Sequence, residues 1–243
     1  MITKSIPNLF TIGNLFLGII SIMLAFNDEV NLAALMVIIA MLLDGLDGSV
    51  ARALNVQSEF GKELDSLSDV ISFGVAPAFV MYVCAFSELN PALAWVVTAI
   101  FPICGALRLA RFNVVEGIPG YFVGLPIPAA GGVVCTLALF HKSIAAPYLI
   151  VAMLLVSYLM VSTVRYPNFK KHGIPKKAIW ITPFVIAGAV AIALWKPEQT
   201  PKLIFVPLVL YALLGLKKNV RMLNRRRKKT VEVDDWTQRK HSS

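Results

Sequence analysis

The sequence predicts an all-α protein, a polytopic membrane bundle of about eight transmembrane helices. Of the 243 residues, 57% are hydrophobic and only 15% are charged, whereas an ordinary soluble domain is about 45–50% apolar and about 25% charged. The mean hydropathy is +0.72, and apolar runs near the roughly 20 residues that cross a bilayer recur along the chain. This composition excludes a disordered chain, a fibrous repeat and a disulfide scaffold.

The predicted spans are mostly apolar runs separated by charged or turn-forming segments. They cover residues 9–26, 30–52, 65–86, 91–110, 122–141, 145–164, 178–195 and 203–216. No clear cleavage site follows the first span, so we expect an uncleaved helix there. We divide the chain into a membrane core (1–165), additional transmembrane helices (166–217) and a basic cytoplasmic tail (218–243).

The distribution of the net charge of +9 predicts the topology. With the N-terminus in the cytoplasm, 20 of the 23 Lys and Arg residues fall on cytoplasmic segments and 3 fall on external loops, as the positive-inside rule requires. We therefore expect an integral protein of the cytoplasmic membrane with both termini and the active site on the cytoplasmic side. The basic cluster at 217–229 is expected to lie on anionic lipid and not to bind nucleic acid.

Four acidic residues lie within predicted helices, where an Asp at the bilayer centre costs about 2.5–3.5 kcal/mol. Asp44 and Asp47 are three residues apart in the second span, and Asp65 and Asp69 are four apart at the start of the third. Each pair shares one helix face, and a short loop joins the helices, so the acidic faces can meet. Because four carboxylates repel one another, a divalent cation is expected, and oxygen ligands without His or Cys favour Mg²⁺ or Mn²⁺.

A phosphate-bearing substrate is indicated beside these acids. Arg52 follows Asp44 by about two helical turns, and its planar guanidinium suits a phosphate. Gly45 and Gly48 lack side chains, which allows a ligand or a helix to approach the backbone. Because the site lies at the membrane edge, we expect a lipid with a phosphorylated headgroup.

The segment from Asp44 to Asp69 resembles the signature of the CDP-alcohol phosphotransferases, D-x-x-D-G-x-x-A-R-x8-G-x3-D-x3-D, with every specified position present. Members of this family are membrane enzymes with a six-helix core. They transfer a phosphatidyl-type group from a CDP-linked donor to an alcohol and release CMP. The resemblance implies that Asp44, Asp47 and Asp65 bind a pair of divalent ions. It also implies that Asp69 touches the second ion and acts as the catalytic base.

The resemblance further implies a binding site for CDP-diacylglycerol, in which small residues leave room for cytidine and the arginine holds the phosphates. Its members in and near the signature are Gly48, Ala51, Arg52, Ser58 and Gly61. The start of the first span is similar to the family's P-N-x-x-T element, and its polar residues on one side of the helix are Asn8, Thr11 and Asn14. Polar groups in lipid need partners, which a nucleotide supplies; for Asn8, a helix N-cap is the alternative.

Three further strings resemble the family members that use L-serine as the acceptor. These are DSLSDVISFGVAP from Asp65, ARFN from Ala110 and GLPIPAA from Gly124. We therefore expect phosphatidyl transfer to L-serine, whose carboxylate would be held by arginines that share one face of the fourth span. The predicted acceptor residues are Ser68, Arg108, Arg111 and Asn113. For the two arginines, positive-inside anchoring is the alternative.

Two other functions remain open. The same chemistry with glycerol 3-phosphate or an inositol phosphate requires more basic residues in the acceptor pocket. A cation transporter is a more distant alternative, and it predicts acids spread over the membrane depth instead of one layer. The family resemblance also suggests a homodimer.

Overall fold

The computed structural model describes residues 2–114 and 121–167. Their helices are α1 (Ile2–Phe26), α2 (Val30–Ala53), α3 (Glu59–Phe86), α4 (Pro91–Val114), α5 (Ile127–Leu139) and α6 (Ala146–Val161). A short ribbon that the sequence did not predict pairs β1 (Tyr121–Val123) antiparallel with β2 (Arg165–Pro167). The predicted helical architecture is confirmed for these residues. The predicted spans 178–195 and 203–216 and the tail 218–243 lie outside them.

Four of these helices, α1 to α4, are long and apolar enough to cross a membrane, whereas α5 and α6 are shorter. Large apolar side chains cover the outer surface, as a stripe on α1 illustrates. The stripe consists of Leu9, Ile12, Phe16, Ile19 and Met23, which are 45–69% exposed. Apolar surface on this scale is rare on soluble monomers and suits contact with lipid. The chain is therefore an integral membrane protein.

Two helices begin earlier than the apolar runs predict. Helix α1 starts at Ile2, so Asn8 lies inside it, and the alternative that Asn8 caps the helix is wrong. Helix α3 starts at Glu59 because Ser58 caps it: the Ser58 hydroxyl accepts a hydrogen bond from the Gly61 N–H at 3.0 Å. This cap places the start of α3 against the start of α1.

Helix α5 begins later than predicted, at Ile127 instead of residue 122. Gly124 adopts a φ of +79°, and Pro128 is tolerated only because it falls in the first helical turn. The residues before the turn form β1. The resulting helix of 13 residues spans about 20 Å, which is less than the roughly 30 Å hydrocarbon core.

The second half of α3 is irregular and packs in the centre of the bundle. Wide π-helical turns occur at Val70–Val75 and Tyr82–Phe86. Pro77 has no N–H to offer the carbonyl of Phe73, four residues earlier. That carbonyl faces α5 at Gly131, where a Cβ would lie 2.6 Å from it. Glycine at this position thus allows α5 to pack closely on the part of α3 that follows the acidic residues.

A glycine also sets the contact between α1 and α3. A Cβ at Gly18 would lie 2.7 Å from the Cα of Ser72, so the backbones must separate if the side chain is added. We expect Gly18→Ala to destabilise the protein by about 1–3 kcal/mol, as overpacking does. The measurement is thermal unfolding of the purified protein in detergent.

Gly45→Ala is the matched control for this prediction. Within the described residues, a Cβ there would meet nothing inside 4 Å, and alanine favours a helix over glycine by roughly 0.5–1 kcal/mol. Its unfolding temperature should equal or exceed that of the wild type. Equal unfolding temperatures for the two variants would contradict the packing argument.

Candidate active site

The four acids predicted from the sequence come together where α2 ends and α3 begins. Asp44, Asp47 and Asp65 each offer one carboxylate oxygen, and these three oxygens lie within 4.8 Å of one another. Asp69, one turn further along α3, lies beside Asp44 and is only 7% exposed. One layer of the bundle therefore holds all four carboxyl groups, as an active site requires and a transmembrane cation path does not.

Both oxygens of Asp47 are held by hydrogen bonds. The hydroxyl of Thr11, on α1, donates to Oδ2 at 2.8 Å, and the backbone N–H of Gly48 donates to Oδ1. The sequence indicates Thr11 as a nucleotide-binding residue but does not reveal this bond, because the register of α1 against α2 is not visible in it. Helix α1 thus fixes the orientation of one of the clustered acids.

The cluster fits a hard divalent cation. Its donors are all carboxylate oxygens, which Mg²⁺ and Mn²⁺ prefer. Oδ1 of Asp69 is buried and has no hydrogen-bond partner within residues 2–114 and 121–167. A buried carboxylate without compensation is costly. The arrangement therefore supplies ligands that a cation can satisfy.

A cavity of about 590 Å³ adjoins the cluster between the start of α1, the end of α2 and the start of α3. Asp47 and Asp65 form part of its wall. Seven of the eight residues predicted to bind CDP-diacylglycerol line it: Asn8, Thr11, Gly48, Ala51, Arg52, Ser58 and Gly61. Its volume lies in the range of small-molecule and cofactor sites, about 300–1,000 Å³. The eighth residue, Asn14, is not part of this lining.

Two glycines bring polar groups close together in the cavity wall. A Cβ at Gly48 would lie 3.3 Å from Nη1 of Arg52, and one at Gly61 would lie 3.1 Å from both Asn8 Oδ1 and Ser58 Oγ. Lys62 also lines the cavity. Lys62 is absent from the predicted site residues, although its position directly after Gly61 was a usable signal. The cavity therefore carries two positive side chains next to the acids.

Two of the predicted acceptor residues lie next to Asp69. Arg108, on α4, is 6% exposed and places its positive charge near the Asp69 carboxyl group. Its guanidinium also lies over the ring of Phe112, 5.9 Å from the centroid. Ser68 directly precedes Asp69 and is fully buried, and its hydroxyl has no hydrogen-bond partner within the described part of the chain.

The other two predicted acceptor residues make structural contacts. Arg111 donates to the backbone carbonyls of Val161 at 3.0 Å, Ser162 at 3.3 Å and Val123 at 3.4 Å, which ties α4 to the end of α6 and to β1. Asn113 donates to the hydroxyl of Ser66 at 3.0 Å, which joins α4 to α3. These bonds account for both side chains, and acceptor binding by them stays a prediction.

A helical membrane bundle with clustered carboxylates beside a basic, nucleotide-sized cavity defines a membrane-embedded phosphotransferase. Residues 4–164 match the family model described as CDP-alcohol phosphatidyltransferase. The chain belongs to this family, as its acidic signature predicts.

The chain is also similar to individual named enzymes. The chain is 43% identical over 173 residues to the CDP-diacylglycerol–serine O-phosphatidyltransferase of Helicobacter pylori, covering 68% of this chain and 73% of the relative. It is 39% identical over 176 residues to the archaetidylserine synthase of Methanothermobacter thermautotrophicus, covering 70% of this chain and 72% of the relative. It is 35% identical over 220 residues to the CDP-diacylglycerol–serine O-phosphatidyltransferase of Methanocaldococcus jannaschii, covering 89% of this chain and 95% of the relative.

The Thr11–Asp47 hydrogen bond generates a prediction about metal dependence. Thr11→Val preserves the shape of the side chain but removes the donor to Asp47, so a higher Mn²⁺ concentration should be needed for half-maximal CMP release. Loss of a group that orients a metal ligand typically costs about 10–100-fold in affinity or activity. Thr11→Ser retains the hydroxyl and should behave like the wild type. An unchanged Mn²⁺ dependence in the valine variant would show that the bond has no role in orienting Asp47.

Proposed function

We propose that this chain transfers the phosphatidyl group of CDP-diacylglycerol to the hydroxyl of L-serine, producing phosphatidylserine and CMP. The observation that carries the proposal is the position of the acidic cluster. The cavity adjoins the cluster on one side, and the buried Arg108 lies beside Asp69 on another side. The relatives support the acceptor, because serine is common to their names, whereas the lipid named differs between them.

The donor fits the cavity with its diphosphate toward the acids. Arg52 and Lys62 supply positive charge for the phosphate oxygens, and the Arg52 guanidinium offers the planar geometry that phosphate binding favours. Asn8 and Ser58 leave polar groups at the cavity wall for the cytidine. Two Mg²⁺ or Mn²⁺ ions held by the four acids would neutralise the charge on the diphosphate and on the leaving CMP.

The chemistry requires one bond to form and one to break. The serine hydroxyl oxygen bonds to the phosphatidyl phosphorus, the bond from that phosphorus to the bridging oxygen breaks, and CMP leaves with that oxygen. The proton of the hydroxyl passes to Asp69. A free alcohol is too weak an acid to lose its proton beforehand, so Asp69 accepts it during the attack.

Arg108 favours serine over phosphorylated acceptors. Its single guanidinium, next to the base, suits one carboxylate group, and the neighbouring Ser68 hydroxyl can hold the same substrate. Glycerol 3-phosphate and inositol phosphates carry a more highly charged phosphate, for which a second cation is needed. Arg111 already donates to three backbone carbonyls, which leaves Arg108 as the buried guanidinium beside the base.

We also propose that the site faces the cytoplasm. Arg52, Lys62, Arg108 and Arg111 lie at the same end of the bundle as the acids, whereas Lys142 follows α5 at its opposite end. This distribution agrees with the positive-inside rule.

The proposed function is tested by an acceptor panel. Purified protein in detergent is supplied with CDP-diacylglycerol and Mn²⁺ or Mg²⁺, and CMP release is followed with serine, glycerol 3-phosphate and an inositol phosphate. We expect release with serine to exceed release with either phosphorylated acceptor by at least about tenfold, and none after chelation of the metal. Release with glycerol 3-phosphate but not with serine would overturn the assignment of the acceptor.

The role of Asp69 generates a separate prediction. Asp69→Asn keeps the shape of the side chain but cannot accept the proton, so turnover should fall by at least about 10²-fold. Mn²⁺-dependent binding of CDP, measured by calorimetry, should remain. Glu63→Gln, an exposed change on the same helix, serves as the matched control and should retain turnover. Near-normal turnover in Asp69→Asn would exclude Asp69 as the base.

A further inference from the structure

Asn14 is a buried polar side chain that the cavity does not explain. It lies in α1, is 0% exposed, and neither the oxygen nor the nitrogen of its carboxamide has a hydrogen-bond partner within the described residues. Buried polar groups in native proteins are satisfied in the great majority of cases, and an exception calls for a specific explanation, such as a bound ion or a catalytic role. The lack of a partner for both polar atoms of one amide therefore indicates that this side chain binds a ligand.

The register of α1 against α2 places Asn14 level with Asp44. The two helices run antiparallel after a short turn, and Thr11 on α1 bonds to Asp47 on α2. In antiparallel helices, a step of three residues forward along α1 matches a step of three residues back along α2. The first step leads from Thr11 to Asn14 and the second from Asp47 to Asp44, so Asn14 lies level with Asp44. The contact of Gly13 with Leu43 confirms this register, since a Cβ at Gly13 would lie 3.2 Å from Leu43 Cδ1.

The register of α1 against α3 places Asn14 beside the turn that carries Asp69. These two helices run parallel, because Asn8 lies against Gly61 and Gly18 lies against Ser72. The Ser72 hydroxyl donates to the backbone carbonyl of Asn14 at 3.0 Å. Helical side chains lean toward the N-terminus of their helix, so the Asn14 side chain leans away from Ser72, toward the level of Thr11 and the acids.

Asn14 thus shares one helix face with Thr11 and lies between α2 and α3, at the end of the cluster nearest the membrane core. The carboxyl groups of Asp44 and Asp69 lie beside each other at this level. The unsatisfied Oδ1 of Asp69 belongs to the same layer. An unsatisfied amide and an unsatisfied carboxylate oxygen in one buried layer indicate a common ligand.

We infer that Asn14 is a fifth oxygen donor of the metal centre, binding through its side-chain carbonyl oxygen on the side nearest the membrane core. This inference rests on the metal dependence in the proposed function, but not on the identity of the acceptor. Asn carbonyl oxygens are accepted ligands of hard divalent cations. A neutral donor also completes the coordination without adding negative charge to four acids, and its N–H groups remain available to the neighbouring carboxylate oxygens.

The test is Mn²⁺ binding to the full-length protein in detergent without nucleotide or serine, followed by the electron paramagnetic resonance signal of free Mn²⁺. Asn14→Leu removes the donor at similar volume and should weaken Mn²⁺ binding about tenfold or more. Asn14→Asp retains an oxygen donor at the same position and should bind Mn²⁺ at least as tightly as the wild type. Asn8→Leu, the matched change on the same helix within the nucleotide cavity, should leave Mn²⁺ affinity unchanged.

Thermal unfolding separates ligation from a structural role. Without metal, Asn14→Leu should unfold at or above the wild-type temperature, because it removes two unsatisfied buried polar atoms. The increase in unfolding temperature that Mn²⁺ gives the wild type should be largely lost. A marked loss of stability of the metal-free leucine variant would instead assign Asn14 a structural role.

Wild-type Mn²⁺ affinity in Asn14→Leu, or loss of Mn²⁺ binding in a folded Asn14→Asp, would overturn the inference. If the wild type binds no Mn²⁺, both the proposed metal centre and the assignment of Asn14 as its ligand are wrong. If the wild type binds Mn²⁺ through Asn14 but serine is not the acceptor, the ligand assignment stands and only the acceptor assignment fails.

Discussion

The structure depends on one constraint, the burial of several carboxyl groups within a layer of a membrane bundle. Moving a charge out of water is costly unless other groups compensate for it. The compensating groups come from separate helices: the Thr11 hydroxyl from α1, the Gly48 N–H from α2 and the Arg108 guanidinium from α4. Helices α1 to α4 therefore contribute to the site as well as to the bundle, and the geometry of the cluster follows from their relative register.

Helix α3 connects the site with the core of the bundle. Its first turns, fixed by the Ser58 cap, carry Asp65 and Asp69. Directly after Asp69 the helix widens, and the following residues pack tightly, with Ser72 against Gly18 and the Phe73 carbonyl against Gly131. Close packing of small residues is how membrane helices lock together without a hydrophobic driving force. The contact between Ser72 and Gly18 holds the acidic turns of α3 in place against α1.

The sequence was sufficient for features set within one helix. The spacing of Asp44 and Asp47, and of Asp65 and Asp69, decides which side chains share a face, so the cluster could be predicted without a structure. The start of α5 could not be taken from hydropathy alone, because Leu125 and Ile127 continue an apolar run that Gly124 and the prolines interrupt. The partners of Arg111 could also not be predicted from the sequence, since two of its three acceptors are backbone carbonyls about 50 residues away in the chain.

In the proposed reaction, the proximity of Arg108 to Asp69 gives a physical reason why an amino acid would suit this site. While Asp69 is ionised, the nearby guanidinium balances its charge, and a substrate carboxylate must share that guanidinium. If Asp69 is the base, as proposed, it becomes neutral when it takes the hydroxyl proton, and the full charge of Arg108 would be left to the substrate carboxylate. In this proposal the binding of the carboxylate would strengthen as the reaction proceeds, and an interaction that is stronger in the transition state accelerates the chemical step. An acceptor that carries one negative group beside its hydroxyl gains from this coupling, whereas a neutral alcohol does not.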